Sequence, residues 1–135
     1  MRYLITGGYG FIGSALIRKL SSRSNEEILN IDKLTYAGNI NNLPKKMKCK
    51  YLFEKSDIQN KNKINKIFHK FKPDIVLNFA AESHVDRSIN NSPEFINTNI
   101  LGTYNLLEAS KELYFNLDAK KKKVLNLFKF PLTRF

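Results

Sequence analysis

Three glycines, Gly7, Gly10 and Gly13, divide the apolar run Tyr3-Leu4-Ile5-Thr6 from a stretch of helical periodicity, and the next apolar run ends on the carboxylate of Asp32. Residues of these types at this spacing can hold a dinucleotide. Gly7 permits a tight strand-to-helix turn, Gly10 lets the backbone approach a pyrophosphate, and Gly13 lets the helix pack closely on the strand. The N–H groups that open the helix then face the phosphates. Asp32 follows Gly13 by 19 positions and Gly7 by 25, near the roughly 20-residue offset of an acid that hydrogen-bonds a ribose hydroxyl. A second reading, in which Asp32 caps the next turn, stays open at this level.

The elements needed to position these residues are present in order. Phe11, Ile12, Ala15, Leu16, Ile17 and Leu20 recur at helical spacing, with Arg18, Lys19, Ser21, Ser22 and Arg23 as the polar face and end. Glu27 to Asp32 reads as a buried strand, Lys33 to Asn39 as a loop, and Lys50 to Glu54 as a third strand. Helical spacing returns at Ile58, Ile64, Ile67, Phe68 and Phe71 and stops at Pro73. Ile75 to Phe79 predicts a fourth strand buried on both faces. A helix follows from about Pro93 to Tyr114, with Phe95, Ile96, Ile100, Leu101, Leu106, Leu107 and Ala109 as its apolar stripe. Strands alternating with helices predict an α/β fold with a doubly wound parallel sheet, and ligands of such sheets bind beyond the carboxyl ends of the strands. The small and polar residues Ala80 to Ser88 fall at that end. Thr98 and Asn99 interrupt the long helix, and either face the ligand or point outward to solvent.

Composition narrows the class. A chain of 135 residues with 42% hydrophobic content, ten Phe and six Tyr predicts one globular core. No apolar run reaches the roughly 18 residues of a membrane span, and glycines interrupt the N-terminal run, against a secretory leader. Cys49 is the sole cysteine, which excludes an intrachain disulfide and fits a reducing, cytoplasmic setting. The net charge of +11 raises nucleic acid as a partner. However, residues 111–135 hold 7 basic and 2 acidic side chains, a large share of the excess, and Lys120 to Lys123 is the one true run of like charge. The remaining lysines are scattered as solvated faces, with no stripe and no nucleic-acid motif. His69 and His84 show no metal-ligand spacing, so no metal site is expected.

Thr6 to Gly13 resembles the glycine motif of the extended short-chain dehydrogenase/reductases, the NAD-dependent epimerases and dehydratases. The stretches Asp32-Lys33-Leu34-Thr35-Tyr36-Ala37-Gly38-Asn39 and Ala80-Ala81-Glu82-Ser83-His84-Val85-Asp86-Arg87-Ser88 resemble one subgroup closely, the dTDP-glucose 4,6-dehydratases of deoxysugar and rhamnose biosynthesis. The resemblance covers residues 1 to about 115. It implies a Rossmann-like fold with tightly held NAD as cofactor and a nucleotide sugar, dTDP-glucose, as substrate. By the same resemblance, Gly7, Gly10 and Gly13 form the cradle, and Phe11 and Ile12 lie along the pyrophosphate. Asp32, Lys33, Leu34 and Thr35 surround the adenosine ribose, and Asp57 and Ile58 border the adenine. Phe79, Ala80, Ala81, Glu82 and Ser83 line the nicotinamide-side ribose, Thr98 touches the cofactor, and Ser83 also reaches the sugar. The implied reaction oxidises the sugar at C4, eliminates water across C5 and C6 and returns the hydride to C6.

The sequence departs from that family where its catalytic residues should follow. Neither the Thr-Asp-Glu segment nor a helical Tyr-x-x-x-Lys pair occurs, and Val124 to Phe135 stands in their place. The expectation is therefore a Rossmann-like domain over residues 1–115, a basic divergent tail over 116–135, a sheet truncated after the region of the fifth strand, and no C-terminal substrate domain. No catalytic residue is expected in this chain. Tyr51 and Lys55 satisfy Tyr-x-x-x-Lys by letter, but on a strand their side chains would stand roughly 13 Å apart. Ser83, His84 and Asp86 are too close in one loop to act as a hydrolytic triad. Uncovered apolar surface predicts a homo-oligomer or a partner that supplies the missing half. The rival reading is a small basic, non-catalytic protein that uses the same scaffold to bind nucleic acid.

Overall fold

In a computed structural model of the chain, residues 1–83, 92–117 and 126–129 are described. His84, Val85, Asp86, Arg87 and Ser88 of the second motif block and the Lys120 to Lys123 run lie outside the described residues. Five parallel strands, β1 (Arg2–Thr6), β2 (Glu27–Asp32), β3 (Lys50–Lys55), β4 (Ile75–Asn78) and β5 (Asn126–Lys129), lie in the order β3-β2-β1-β4-β5. The chain moves outward from β1 on one side and then returns to start β4 on the other. That reversal puts a crevice between the carboxyl ends of β1 and β4.

Alternation along the strands explains why both faces of the sheet are covered. Leu4, Leu29, Ile31 and Val76 point to one side, where they pack with Ile64, Phe68 and Phe71 of α2 (Lys61–Phe71) and with Leu106, Ala109 and Leu113 of the last helix. Tyr3, Ile5, Ile28 and Leu77 point to the other, against Ile17 and Leu20 of α1 (Phe11–Leu20). At the β3 edge Lys50 and Lys55 are exposed, a placement that discourages pairing with another chain. β5 falls inside the stretch expected to be a tail. It pairs in parallel with β4, Ile75 opposite Asn126, and covers what would otherwise be an open edge, so the sheet continues past the expected boundary at residue 115.

Three helices differ from their sequence reading. The buried face of α1 is Gly13, Ser14, Ile17 and Leu20, whereas Phe11 is 89% exposed and Ile12 and Ala15 also face outward. Gly13 sets this face: a Cβ there would stand 2.3 Å from the Gly7 carbonyl oxygen and 2.8 Å from the Gly8 Cα, so the helix sits closer to the turn than any side chain would allow. The second helix begins at Lys61, capped by the Asn60 side chain, so Ile58 belongs to the turn before it. It ends on Lys72 in the left-handed conformation, ahead of Pro73.

The long helix is three segments, α3 (Ser92–Ile96), a π turn (Asn97–Gly102) and α4 (Thr103–Phe115). Its buried face is Thr98, Gly102, Thr103, Asn105, Leu106, Ala109, Ser110 and Leu113. Ile96, Ile100, Leu101 and Leu107 of the expected stripe are exposed. Polar groups can occupy the inner face because each is hydrogen-bonded. Gln59 Nε2 donates to Thr98 Oγ1 at 3.1 Å, Asn78 Nδ2 to Thr103 Oγ1 at 3.2 Å, and Ser110 Oγ to the Leu106 carbonyl. Asn105 Nδ2 donates to the carbonyls of Ile58 and Gln59, both at 3.0 Å, and so fixes the β3–α2 turn.

Two outcomes follow from this packing. Gly13→Ala must displace backbone and should cost about 1–3 kcal/mol of stability, as overpacking does; urea denaturation measures it. Asn105→Leu keeps the volume but strands two inward carbonyls, and should cost a further separate amount of about 1–3 kcal/mol. An unchanged urea midpoint in either variant would contradict the contact assigned to it.

Candidate functional site

The crevice at the β1–β4 reversal is built on the glycine turn. Gly7 has φ of +66°, a backbone state that only glycine adopts freely, and a Cβ there would lie 2.7 Å from the Ala80 nitrogen. The β1 and β4 exits therefore meet backbone to backbone. The Gly7 N–H also donates to the Ile31 carbonyl, and the Phe79 N–H to that of Thr6, which joins the exits of β1, β2 and β4 into one floor. Beyond Gly10 the α1 N-terminus has no side-chain cap and no acidic residue in its first turn. Its N–H groups and the positive end of the helix dipole are left for an anion.

Asp32 and Asn30 hold this turn in shape. Asp32 is buried; one carboxylate oxygen accepts from the Tyr9 N–H at 2.9 Å and the other from the Leu34 N–H at 2.8 Å. It thus caps the turn after β2 and also lines the cleft, so the two readings of this residue are compatible. Each oxygen keeps a further lone pair for a ligand hydroxyl. Leu34 takes φ of +59° to aim its N–H at Asp32. Asn30, fully buried, was missed in the sequence reading. Its Oδ1 accepts from the Gly8 N–H and its Nδ2 donates to the Tyr51 hydroxyl, both at 3.0 Å. The signal for it was an amide in the middle of an otherwise apolar strand, since such a group is buried only with partners.

Beyond β2 the cleft carries a charged cluster. Lys33 Nζ lies 2.8 Å from Asp57 Oδ2 and 2.5 Å from Glu94 Oε1. Gln59 Nε2 donates to the same Glu94 oxygen at 3.1 Å and to Thr98 Oγ1. Partial desolvation pulls the Lys33 pKa down, but hydrogen bonds to Asp57 and Glu94 outweigh it and the net shift is upward. The Lys33 hydrogen bond holds the Glu94 carboxyl below its ordinary value. At the other end, Thr6 Oγ1 bonds Asn78 Oδ1 and accepts from the Ala80 N–H. The Asn99 amide clamps Glu82 by both its N–H and its carbonyl, each at 2.9 Å; Asn99 therefore positions the β4 exit instead of facing a ligand directly.

Of the residues singled out by sequence, Gly7, Gly10, Asp32, Lys33, Thr35, Asp57, Ile58, Phe79, Ala80, Ala81, Glu82 and Thr98 line one cleft. Ile31, Ala37, Gly38 and Ser56 line it as well. Phe11, Ile12, Gly13, Leu34 and Ser83 do not. The first two point outward at the helix start, Gly13 backs onto Gly7, Leu34 contributes its N–H to Asp32, and Ser83 is exposed. Tyr51 lies on β3 with its hydroxyl on Asn30, and burial raises its pKa, which disfavours the anionic form a base would need. His69 is an exposed residue paired with Glu112 at 3.1 Å. Cys49 is buried, and burial raises its thiol pKa. Among the described residues no group of three or more His, Cys, Asp or Glu could hold a metal ion, and no helix is long and apolar enough to cross a membrane.

Known proteins resemble this chain in sequence and fold. The chain is 51% identical over 123 residues to a dTDP-glucose 4,6-dehydratase of Haemophilus influenzae, a match that covers 90% of this chain and 36% of the relative. It is 47% identical over 131 residues to that of Salmonella typhimurium, again 36% of the relative. The crystal structure of a dTDP-glucose 4,6-dehydratase from Bacillus anthracis in complex with NAD superposes with a TM-score of 0.73 at 32% identity, covering 96% of this chain and 36% of that one. The chain thus spans little more than a third of the length of these relatives. The family model for GDP-mannose 4,6 dehydratase matches residues 4–127, nearly the whole sheet, and the chain belongs to that dehydratase family.

Proposed function

We propose that this chain is the cofactor-holding part of an NAD-dependent dTDP-glucose 4,6-dehydratase. The observation that carries the reading is the convergence, at one crevice, of a glycine-rich turn, an uncapped helix N-terminus and the Asp32 carboxylate. These suit the three parts of a dinucleotide. Gly7 makes the turn and Gly10 leaves room for the pyrophosphate, with the N–H groups of Phe11, Ile12 and Gly13 directed at it. Asp32 accepts the adenosine ribose hydroxyls. Asp57 and Ile58 border the adenine, while Phe79, Ala80, Ala81 and Glu82, with Thr98, line the nicotinamide side. What bound NAD supplies here is a hydride acceptor.

The family reaction converts dTDP-glucose to its 4-keto-6-deoxy product and needs general acid–base groups near C4, C5 and C6 of the sugar. Residues 1–135 contain neither the Thr-Asp-Glu segment nor the helical Tyr-x-x-x-Lys pair of the resembled subgroup. On this reading the chain binds and orients the cofactor, and Ser83, exposed just beyond Glu82, is the residue we assign to contact with the sugar. We assign it to the cytoplasm on the strength of its single, buried, unpaired Cys49. Ile96, Ile100, Leu101, Tyr104 and Leu107 expose an apolar face on the last helical segments, and we assign that face to self-association or to the protein's remaining part.

Calorimetry of the purified 135-residue chain should detect NAD binding. The same preparation incubated with dTDP-glucose should give no 4-keto-6-deoxy sugar. Absence of NAD binding by folded protein would sink the reading, and turnover of roughly 1 s⁻¹ or more, ordinary for an enzyme, would show that catalytic groups lie within these residues. Sedimentation should reveal species larger than the monomer. A single monomer boundary at high protein concentration would exclude self-association through the exposed helix face.

A further inference from the structure

We propose that Glu94 is a positioning residue for cofactor choice: it ties the Lys33 ammonium into an ion pair and so withholds that cation from the 2′-phosphate of NADP. The inference rests on the reading of this cleft as an NAD site and adds to it a determinant outside the cleft. Lys33 follows Asp32 directly and is the one basic side chain among the described residues lining the cleft. A cation beside the ribose acid is what accommodates a 2′-phosphate in dinucleotide sites that take NADP. Lys33 therefore stands where it could relax the discrimination that Asp32 imposes.

The geometry prevents this. An ammonium has three donors, and two of them are taken by Asp57 at 2.8 Å and Glu94 at 2.5 Å. Asp57 lines the cleft, but Glu94 does not; its contacts are with Lys33 and with Gln59, whose amide at 3.1 Å fixes the carboxylate from behind. Glu94 therefore acts on the ligand without touching it, by holding Lys33 and, at longer range, by its own charge. With Asp32, Asp57 and Glu94 set against Lys33, this corner is net negative by two charges, which repels a phosphate and leaves ribose hydroxyls unaffected. The interaction is partly exposed and therefore screened, so it acts on selectivity more than on affinity for NAD.

The test measures dissociation constants of NAD and NADP for the wild-type chain, Glu94→Gln and Lys33→Ala by calorimetry at low and high salt, with a thermal melt of each variant. Glu94→Gln keeps shape and an acceptor while removing one charge, and should lower the NAD-over-NADP preference by about three- to tenfold, the effect of one partly screened charge on a nearby phosphate. Lys33→Ala should raise the preference, because the acids of this corner then act on the phosphate with no cation among them. Both changes should shrink at high salt. Opposite movement of the ratio in the two variants supports the proposal. If both variants instead lose the two dinucleotides in parallel, or the ratio stays at the wild-type value in either folded variant, the proposal is overturned while the NAD site stands. A wild-type chain that binds neither dinucleotide overturns the functional reading itself and this inference with it.

Discussion

The contact on which the rest of this structure depends is that of backbone with backbone at the glycine turn. Gly7 touches the β4 exit at Ala80, and Gly13 touches Gly7, at separations that leave no space for a methyl group. Only this lets α1 sit low enough for Ile17 and Leu20 to reach the sheet, and only this brings three strand exits to one point. The same closeness creates a demand. N–H groups crowded into a glycine-rich turn need partners or solvent, and Asn30 and Asp32 answer from the neighbouring strand by accepting from Gly8 and Tyr9. The glycine turn and the polar end of β2 are therefore one unit, and a change in either is felt by both.

A second layer of polar contacts extends this logic to the opposite face. Asn105 secures the turn that carries Ile58, Gly102 lets that turn approach until a Cβ would stand 2.5 Å from Ile58 Cγ1, and Asn99 clamps the chain at Glu82. The π turn lies between these contacts. Its wider winding adds a residue to one turn of helix, and Thr98 and Gly102 both lie on its buried side while Asn99 still reaches across to the β4 exit. Apolar burial holds the helix on the sheet, but the positions of the loops at the cleft are set by amides bonded to backbone. Each such pair contributes little net stability and is costly to break, which suits groups that define one geometry.

Much of this was legible in the sequence. The first four strands followed from apolar runs punctuated by Gly, Pro and Asp, most clearly β1, β2 and β4, because parallel strands buried on both faces leave a continuous signature; β5, inside the stretch expected to be a tail, did not. Gly7 and Gly13 were readable because their places in the turn and the packing depend on having no side chain, and Asp32 as a cap because a short carboxylate at a strand end accepts from the turn that follows. The helix faces were not. Phe11 and Ile12 were read on the apolar stripe of α1 and lie outside, and the last helical segments bury Thr98, Thr103, Asn105 and Ser110 while exposing Ile100, Leu101 and Leu107. Hydrophobicity cannot separate an inner face whose polar groups are paired from an outer apolar face that another surface covers. Nor could one-dimensional spacing show that Lys33 and Glu94, 61 positions apart, share a hydrogen bond.

The electrostatics separate the two functional readings by length scale. The chain carries +11 overall, which would draw in any polyanion from a distance, but beyond about 8–10 Å such attraction is screened at physiological salt. Several of the cations are also locally matched, with Lys50 on Glu27, Lys63 on Glu54 and Arg2 on Asp74. At contact distance the cleft has the opposite character: Asp32, Asp57 and Glu82 line it against Lys33 alone among the described residues, and Lys33 is already paired. A site lined in this way rejects a phosphate-rich strand, which needs side-chain cations along its length. It can accept a ligand whose two phosphates meet backbone N–H groups at a helix start and whose sugars meet carboxylates. Among the described residues, the cleft thus meets a ligand with backbone dipoles and a few acids at short range, whatever the net charge of the chain contributes to encounter.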